Sequence, residues 1–477
     1  MKIFVSKRRK NIEMPSLLTL GNNTPPQVHQ HDQALNKFLN DYIDNDGKNY
    51  KSIMDMLERN TPDIKGVKRG SNLIDEQKDL ISQSSEIVQN LNNSYLSIQG
   101  PPGTGKTYSS ASIIIELMKA GKKVGVTSNS HEAIKTLLIA IEQQAEKQNF
   151  KFSGMRKARS SDKYDWKFIK DITTGKPLNF DDYLLYAGTS WFFVDPRMNK
   201  TLDYLFIDEA GQVTLGTTIA NATAAKNLVL IGDQMQLSQP MRAKHEGYAK
   251  LSSLDFVLEN NDTIPPDKGI FLNITRRLNK KICNYISTSF YDSRLTSDPI
   301  TETRSVNLKL DPIKDEGLFY VPIEHSGCSQ RSDEEADLIE KTYNRIIKKE
   351  FKVGKKLGKI SSKDIMVVAP YNAQANNIRE RLKKKNDDVR VGTIDLFQGQ
   401  EAKVVLISMT TSDVESLPRH KDFFFSRNRL NVAISRAECV AIIIFNENLL
   451  LASTSSIKEM KLMNSFCKLL EFKTNYK

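Results

Sequence analysis

Cysteine is scarce, with four residues at positions 283, 328, 439 and 467. They form no CxxC pair, so neither a disulfide framework nor a zinc site can be read from them, and a reducing compartment is expected. Histidine is equally thin, with six scattered residues and no cluster from which metal ligation could start. No apolar run approaches the ~18 residues of a membrane span. The N-terminus passes from Met1-Lys2-Ile3-Phe4-Val5 straight into Lys7-Arg8-Arg9-Lys10, without the apolar stretch of a signal peptide. A soluble, cytoplasmic protein that keeps away from membranes is therefore expected. Glycine (23) and proline (16) are too few among 477 residues for a collagen-like or low-complexity chain. A hydrophobic content of 39 % is enough for packed cores and excludes a wholly disordered protein.

Positive charge is in excess. Sixty-nine Lys and Arg against 57 Asp and Glu leave a formal net charge of +12, which points to a polyanionic partner. Residues 1–70 are polar and irregular and predict a flexible arm or a short helical prefix. From residue 71 strand-length apolar runs recur at 95–98, 124–127, 204–207 and 228–231, separated by amphipathic helical stretches such as 107–119 and 132–144. A second series follows at 317–321, 365–369, 404–408 and 440–445. Strands alternating with helices predict an α/β protein with mostly parallel sheets covered on both faces. Two domains are expected, 71–265 and 266–470, parted near Pro265-Pro266. Residues 145–185 and 341–363 read as insertions. The second carries nine Lys and Arg, as either a solvated helix or a nucleic-acid contact.

The chemistry starts at Gly100-Pro101-Pro102-Gly103-Thr104-Gly105-Lys106-Thr107. This is the phosphate-binding loop pattern, set between a strand and a helix as its mechanics require. Glycines let backbone N–H groups turn onto phosphate oxygens at a helix N-terminus. Lys106 would reach the β- and γ-phosphates of ATP, and the Thr107 hydroxyl would ligate Mg²⁺. About a hundred residues on, Leu205-Phe206-Ile207-Asp208-Glu209-Ala210 ends an apolar strand in two acids at the carboxyl edge of a sheet, where ligands of such sheets bind. Asp208 would hold the metal through water, and Glu209 would orient and deprotonate the attacking water.

Three further stretches complete a pattern: Gly232-Asp233-Gln234-Met235-Gln236-Leu237, Val391-Gly392-Thr393-Ile394-Asp395-Leu396-Phe397-Gln398-Gly399-Gln400-Glu401, and Arg429-Leu430-Asn431-Val432-Ala433-Ile434-Ser435-Arg436-Ala437. In order and spacing they resemble motifs III, V and VI of superfamily 1 helicases, over about 72–446. Their wording is similar to the 5′→3′ branch that includes the nonsense-mediated-decay helicase and the Okazaki-fragment nuclease–helicase. The resemblance implies two RecA-like P-loop domains with ATP between them. It implies Gln77 as the adenine-reading amide, Gln236 as the γ-phosphate sensor, Arg277 and Arg436 as arginines acting from the second domain, and Glu401 near the ribose. The family usually carries tyrosine before the first of those arginines. Here Arg276 stands there, so a guanidinium plane would take the base-stacking position.

Ser128-Asn129-Ser130-His131 resembles motif Ia, which grips the nucleic-acid backbone through hydroxyl and N–H groups. Gly188-Thr189-Ser190-Trp191 resembles the next gripping motif, and Thr393 a third. Trp191 is either a stacking ring or a core residue. Pro370-Tyr371-Asn372-Ala373-Gln374 resembles an element of the family's second domain. The ~70 residues ahead of the motor are too few for a nuclease domain, so a near-minimal motor is expected. It would be an ATP-dependent translocase or helicase on single-stranded DNA, or RNA, moving 5′→3′. The other reading is an ATP-gated subunit of a larger complex, for example with a separate nuclease, that binds nucleic acid without unwinding it.

Overall fold

The computed structural model describes residues 28–471 except 160–161, 163, 174–182, 240–244, 311–312, 385–387, 414–416, 418–423 and 455. Eight strands form the first sheet: β1 Tyr95–Gln99, β2 Val124–Thr127, β3 Gly154–Lys157, β4 Ile169–Ile172, β5 Leu185–Ala187, β6 Leu202–Ile207, β7 Ala225–Gly232 and β8 Gly269–Phe271. Their order is β4-β3-β5-β2-β6-β7-β1-β8 and every pairing is parallel. Strand side chains alternate between faces, and the core follows that period. Leu96, Val124, Phe206 and Val229 meet helices Leu80–Gln89, Lys106–Lys119 and His131–Lys147 on one face. Tyr95, Leu205, Leu228 and Leu230 meet Ile53, Met56, Leu254 and Val257 on the other. Strands buried on both faces explain why these runs read as continuously apolar.

The second sheet has five parallel strands in the order Gly317–Pro322, Ala437–Phe445, Ala402–Ser408, Ile365–Ala369, Arg390–Thr393. Helices Asp333–Ile346 and Asn372–Lys383 supply the core on one face through Ile339, Tyr343 and Ile378. Helices Lys280–Phe290 and Arg427–Ile434 supply the other through Ile286 and Val432. That second apolar cluster runs without a break into the first sheet's underside.

Three expectations change, and of the two readings of the prefix the helical one holds over its described part. The boundary set at 265/266 falls before β8, which pairs with β1, so the first sheet ends only at Phe271. The prefix is no free arm over its described part. Helices His29–Asn45 and Lys51–Leu57 seat Phe38, Ile53 and Met56 in the first domain's core. Residues 1–27, with the basic cluster at 7–10, lie outside the described residues. The stretch 145–185 contributes β3 and β4 to the main sheet, where buried Arg156 is matched by Asp171 at 2.7 Å. The basic stretch 341–363 is not one helix: it holds the hairpin Glu350–Val353 and Lys356–Lys359, with Lys352, Lys355, Lys356 and Lys359 exposed.

Candidate functional site

The phosphate loop spans the gap between β1 and the helix Lys106–Lys119. Gly103 (φ 75°) and Gly105 (φ 82°) adopt the left-handed backbone that side chains resist. At Gly103 there is a second reason. A Cβ there would lie 2.3 Å from Arg277 Cβ and 2.6 Å from Thr275 Oγ1. That closeness lets the segment after β8 dock on the loop: Arg276 N donates to Gly103 O at 2.8 Å, and Thr275 Oγ1 to Pro102 O at 2.8 Å. Thr104 Oγ1 is satisfied within the loop by Pro101 O. Lys106 Nζ folds back onto Gly100 O at 2.5 Å, beside the half-buried Thr107.

Asp208 and Glu209 follow β6, and Glu209 itself has φ 55°. Burial, then the adjacent Glu209 carboxylate, push the Asp208 carboxyl up to about 7, with Lys106 opposing. Burial and a neighbouring carboxylate thus penalise the charged form of Asp208, a penalty a divalent cation would relieve. Hard oxygens from Thr107 and Asp208 suit Mg²⁺, which usually binds through one or two carboxylates with substrate phosphates and water. No group of three or more His, Cys, Asp or Glu among the described residues could hold a metal by itself.

Two arginines face these acids. Arg277 donates from Nε to Glu401 Oε2 at 2.6 Å, so Glu401 is engaged by an arginine here. Arg277 lies on the segment docked to the phosphate loop, not within the second sheet. Arg436 is 1 % exposed, donating to Val432 O and Gln400 O at 3.1 Å each. Burial, then Arg277, pull its pKa down to about 9 while Glu209 opposes the drop, so it stays charged at neutral pH. Lys106, Thr107, Asp208, Glu209, Gln236, Arg277 and Arg436 all line one cleft of about 770 Å³.

The other expected residues are spread out. Ser128 and Asn129 follow β2 but line that same cleft, and Ser128 is 4 % exposed, not an open gripping group. Asn129 Nδ2 donates to Gln212 O. Half-buried Thr189 and Thr393 stand at the carboxyl ends of β5 and of Arg390–Thr393. Tyr371 follows Ile365–Ala369 but is only 6 % exposed and packs in the core, so its ring is no surface platform. Trp191 is half-exposed, with the His31 ring edge-on at 4.4 Å. Gln77 is exposed, lines neither the cleft nor the cavity beside it, and uses its backbone N–H on Asp75.

Two family models, each described as an AAA domain, match residues 83–241 and 251–448. An uncharacterized ATP-dependent helicase of Methanocaldococcus jannaschii is 29 % identical over 52 % of this chain and 36 % of its own length. The human DNA replication ATP-dependent helicase/nuclease is 26 % identical over 74 % of this chain and 36 % of its own. A Neurospora crassa regulator of nonsense transcripts 1 homolog is 26 % identical over 77 % of this chain and 37 % of its own. The chain thus carries two AAA domains and, over most of its length, is similar to ATP-dependent helicases. It spans little more than a third of the length of these relatives.

The contact between the two halves joins residues of those motifs to Tyr291, which no motif marks. Gln236 Nε2 donates to Asp233 Oδ2 at 2.9 Å, and Tyr291 OH donates to the same oxygen at 2.7 Å. Asn431 Nδ2 in turn donates to Tyr291 OH and to Met235 O, both at 2.8 Å. Asn428 Nδ2 donates to Gln234 O at 2.6 Å. Burial pushes the Asp233 carboxyl up and the Tyr291 hydroxyl well up. Asn431 sat inside a quoted motif, whereas Tyr291 is a lone tyrosine with no local signature. Gln212 was also missed. It lies three residues beyond Glu209 on the single turn Ala210–Gln212, lining the cleft with a buried Nε2 that has no hydrogen-bond partner among the described residues.

Proposed function

We propose that this chain is a Mg²⁺-dependent ATPase that translocates 5′→3′ on single-stranded DNA or RNA and unwinds duplex ahead of it. The observation that supports this is the cleft itself: Lys106, Asp208 and Glu209 from the first domain face Arg277 and Arg436 across one cavity. Lys106 would leave Gly100 O for the β/γ-phosphoryl oxygens, a point charge placed where negative charge concentrates. Bound Mg²⁺, held by Thr107 and Asp208, would neutralise the β- and γ-phosphoryl charge. Glu209 would accept the proton of the attacking water. Arg436 and Arg277 would stabilise charge that builds on the γ-phosphoryl group, and Arg277 must first release Glu401. Tyr291 and Asn431 join Asp233 and Gln236 to the second domain, so nucleotide occupancy would be felt there through direct hydrogen bonds. The carboxyl ends of strands in both sheets, marked by Thr189 and Thr393, would carry the strand through its phosphates.

A strand-displacement assay on 5′- and 3′-tailed DNA and RNA duplexes tests this, with Lys106→Ala as control. Unwinding from 5′ tails, stimulated ATP turnover, and loss of both in Lys106→Ala are expected. Stimulated turnover without strand separation would instead assign an ATP-gated subunit, one that works beside a separate enzyme such as a nuclease.

A further inference from the structure

The phosphate loop has a cavity on each side. One is the cleft described above. The other, of about 660 Å³, shares Thr104 with it and runs past Ser109 and Arg276 to segment 74–81 and Arg294. Lys106 and the acid pair place the γ-phosphoryl end in the first cavity, so the nucleoside end of a bound nucleotide must leave through the second. Arg276 and Arg277 straddle the loop: with Arg276 N fixed on Gly103 O, Arg277 lines the cleft and Arg276 lines the base side.

We propose that this base-side cavity accepts guanine as readily as adenine, so that the chain hydrolyses GTP as well as ATP. The proposal rests on the phosphate-site reading above. Guanine offers two acceptors, O6 and N7, on the edge where adenine offers one donor and one acceptor. Arginine has only donors, so a guanidinium can pair with both guanine atoms but with only N7 of adenine. Arg276 is the guanidinium available for this. Its side chain is 58 % exposed, and among the described residues its one ion-pair partner is Asp298 at 3.3 Å. Arg294 is committed elsewhere, donating to Ile264 O at 2.7 Å and lying 4.6 Å over the Phe271 ring.

The same cavity lining carries carboxylates. Asp79 caps a helix by accepting from Ser82 N, and Asp75 accepts from Gln77 N and pairs with Lys78. Glu76 lines the cavity as well. A carboxylate only accepts, which matches the N1–H and N2–H donors of guanine and opposes the N1 lone pair of adenine. Gln77, the amide that could serve both adenine groups, does not line the cavity. The reaction is the same for either base. The water oxygen bonds to the γ-phosphorus, the bond to the β–γ bridging oxygen breaks, and a water proton passes to Glu209. The products are nucleoside diphosphate and phosphate.

Two measurements test this: displacement of a fluorescent ADP analogue by ADP or GDP, and steady-state phosphate release from ATP or GTP with Mg²⁺ and single-stranded nucleic acid. ADP and GDP should displace at similar concentrations, and kcat/KM for GTP should lie within about threefold of that for ATP. Arg276→Tyr should lower GTP relative to ATP by about tenfold, the scale of one lost bidentate arginine–guanine pair. Glu76→Gln should shift the ratio the same way by less. An ATP preference above about a hundredfold, or a ratio unmoved by Arg276→Tyr, overturns the proposal. Tight ADP with weak GDP sinks only the base inference, because displacement needs neither turnover nor a strand. Failure of both diphosphates to displace the analogue sinks the phosphate-site reading along with it.

Discussion

In the nucleotide cleft, Lys106, Asp208, Glu209, Arg277 and Arg436 come from segments far apart in the chain and meet around one cavity. Along the carboxyl edges of the same sheets, Thr189 and Thr393 stand singly, half-buried, each at the end of its own strand. The contrast follows from what each region must hold. Phosphoryl transfer builds charge at one point, so its stabilisers have to converge there, already oriented. A nucleic-acid backbone spreads its charge along a line, so its contacts can be many, weak and nearly independent. Single substitutions should then be severe in the cleft and mild on the edge.

Arg436→Lys should give the largest effect. The guanidinium is enclosed and already donates from two nitrogens to backbone carbonyls, and that fork can move onto two phosphoryl oxygens. Lysine keeps the charge but presents a single ammonium. Strand-stimulated turnover should fall by roughly a thousandfold, the scale of an arginine finger, while nucleotide affinity changes little. Turnover near the unsubstituted rate would show that convergence in the cleft is not what drives hydrolysis.

Between the two regions lies the Asp233–Tyr291–Asn431 relay. Tyr291→Phe keeps the ring in the core but removes a donor to buried Asp233 and an acceptor for Asn431. Leaving a buried carboxylate short of one partner costs about 1–3 kcal/mol. Strand-stimulated turnover should drop by about tenfold, with a smaller loss in the unstimulated rate. Equal losses in both rates would place Tyr291 with the cleft alone and remove the relay between regions.

What the sequence made legible is local. The phosphate loop, the acid pair and the strands around them are each written in a few contiguous residues, and β2 and Ile365–Ala369 appear where the apolar runs put them. Long-range compensation was not legible. β3 holds Arg156, which reads as polar until Asp171 on the neighbouring strand neutralises it. β8 is three residues long, directly beyond a Pro-Pro break, and exists because β1 offers it an edge. Tyr371 and Ser128 stand at strand ends just as Thr189 and Thr393 do, and only the packing above each strand end decides which of them is buried. Tyr291 acts through partners 58 and 140 residues away.

The smallest effects should come from the hydroxyls, and they sharpen the comparison most. Ser128 follows β2 and Thr393 ends its own strand, and motif reading gives both to the nucleic acid. The structure separates them. Ser128 Oγ is buried without a hydrogen-bond partner among the described residues and belongs to the cleft lining. Thr393 is half-buried at the outer end of its strand. A neutral hydroxyl bond contributes about 0.5–1.5 kcal/mol, so Thr393→Ala should weaken single-strand affinity by roughly two- to tenfold. No cation is lost with that group, so the dependence of affinity on salt should keep its slope. Ser128→Ala should leave strand affinity where it was and lower turnover a few-fold, because the hydroxyl it removes belongs to the cleft lining. Titrations of both variants against one labelled single strand, at two salt concentrations, decide the matter. If Ser128→Ala loses as much strand affinity as Thr393→Ala, the strand reaches into the cleft, and the two regions are one.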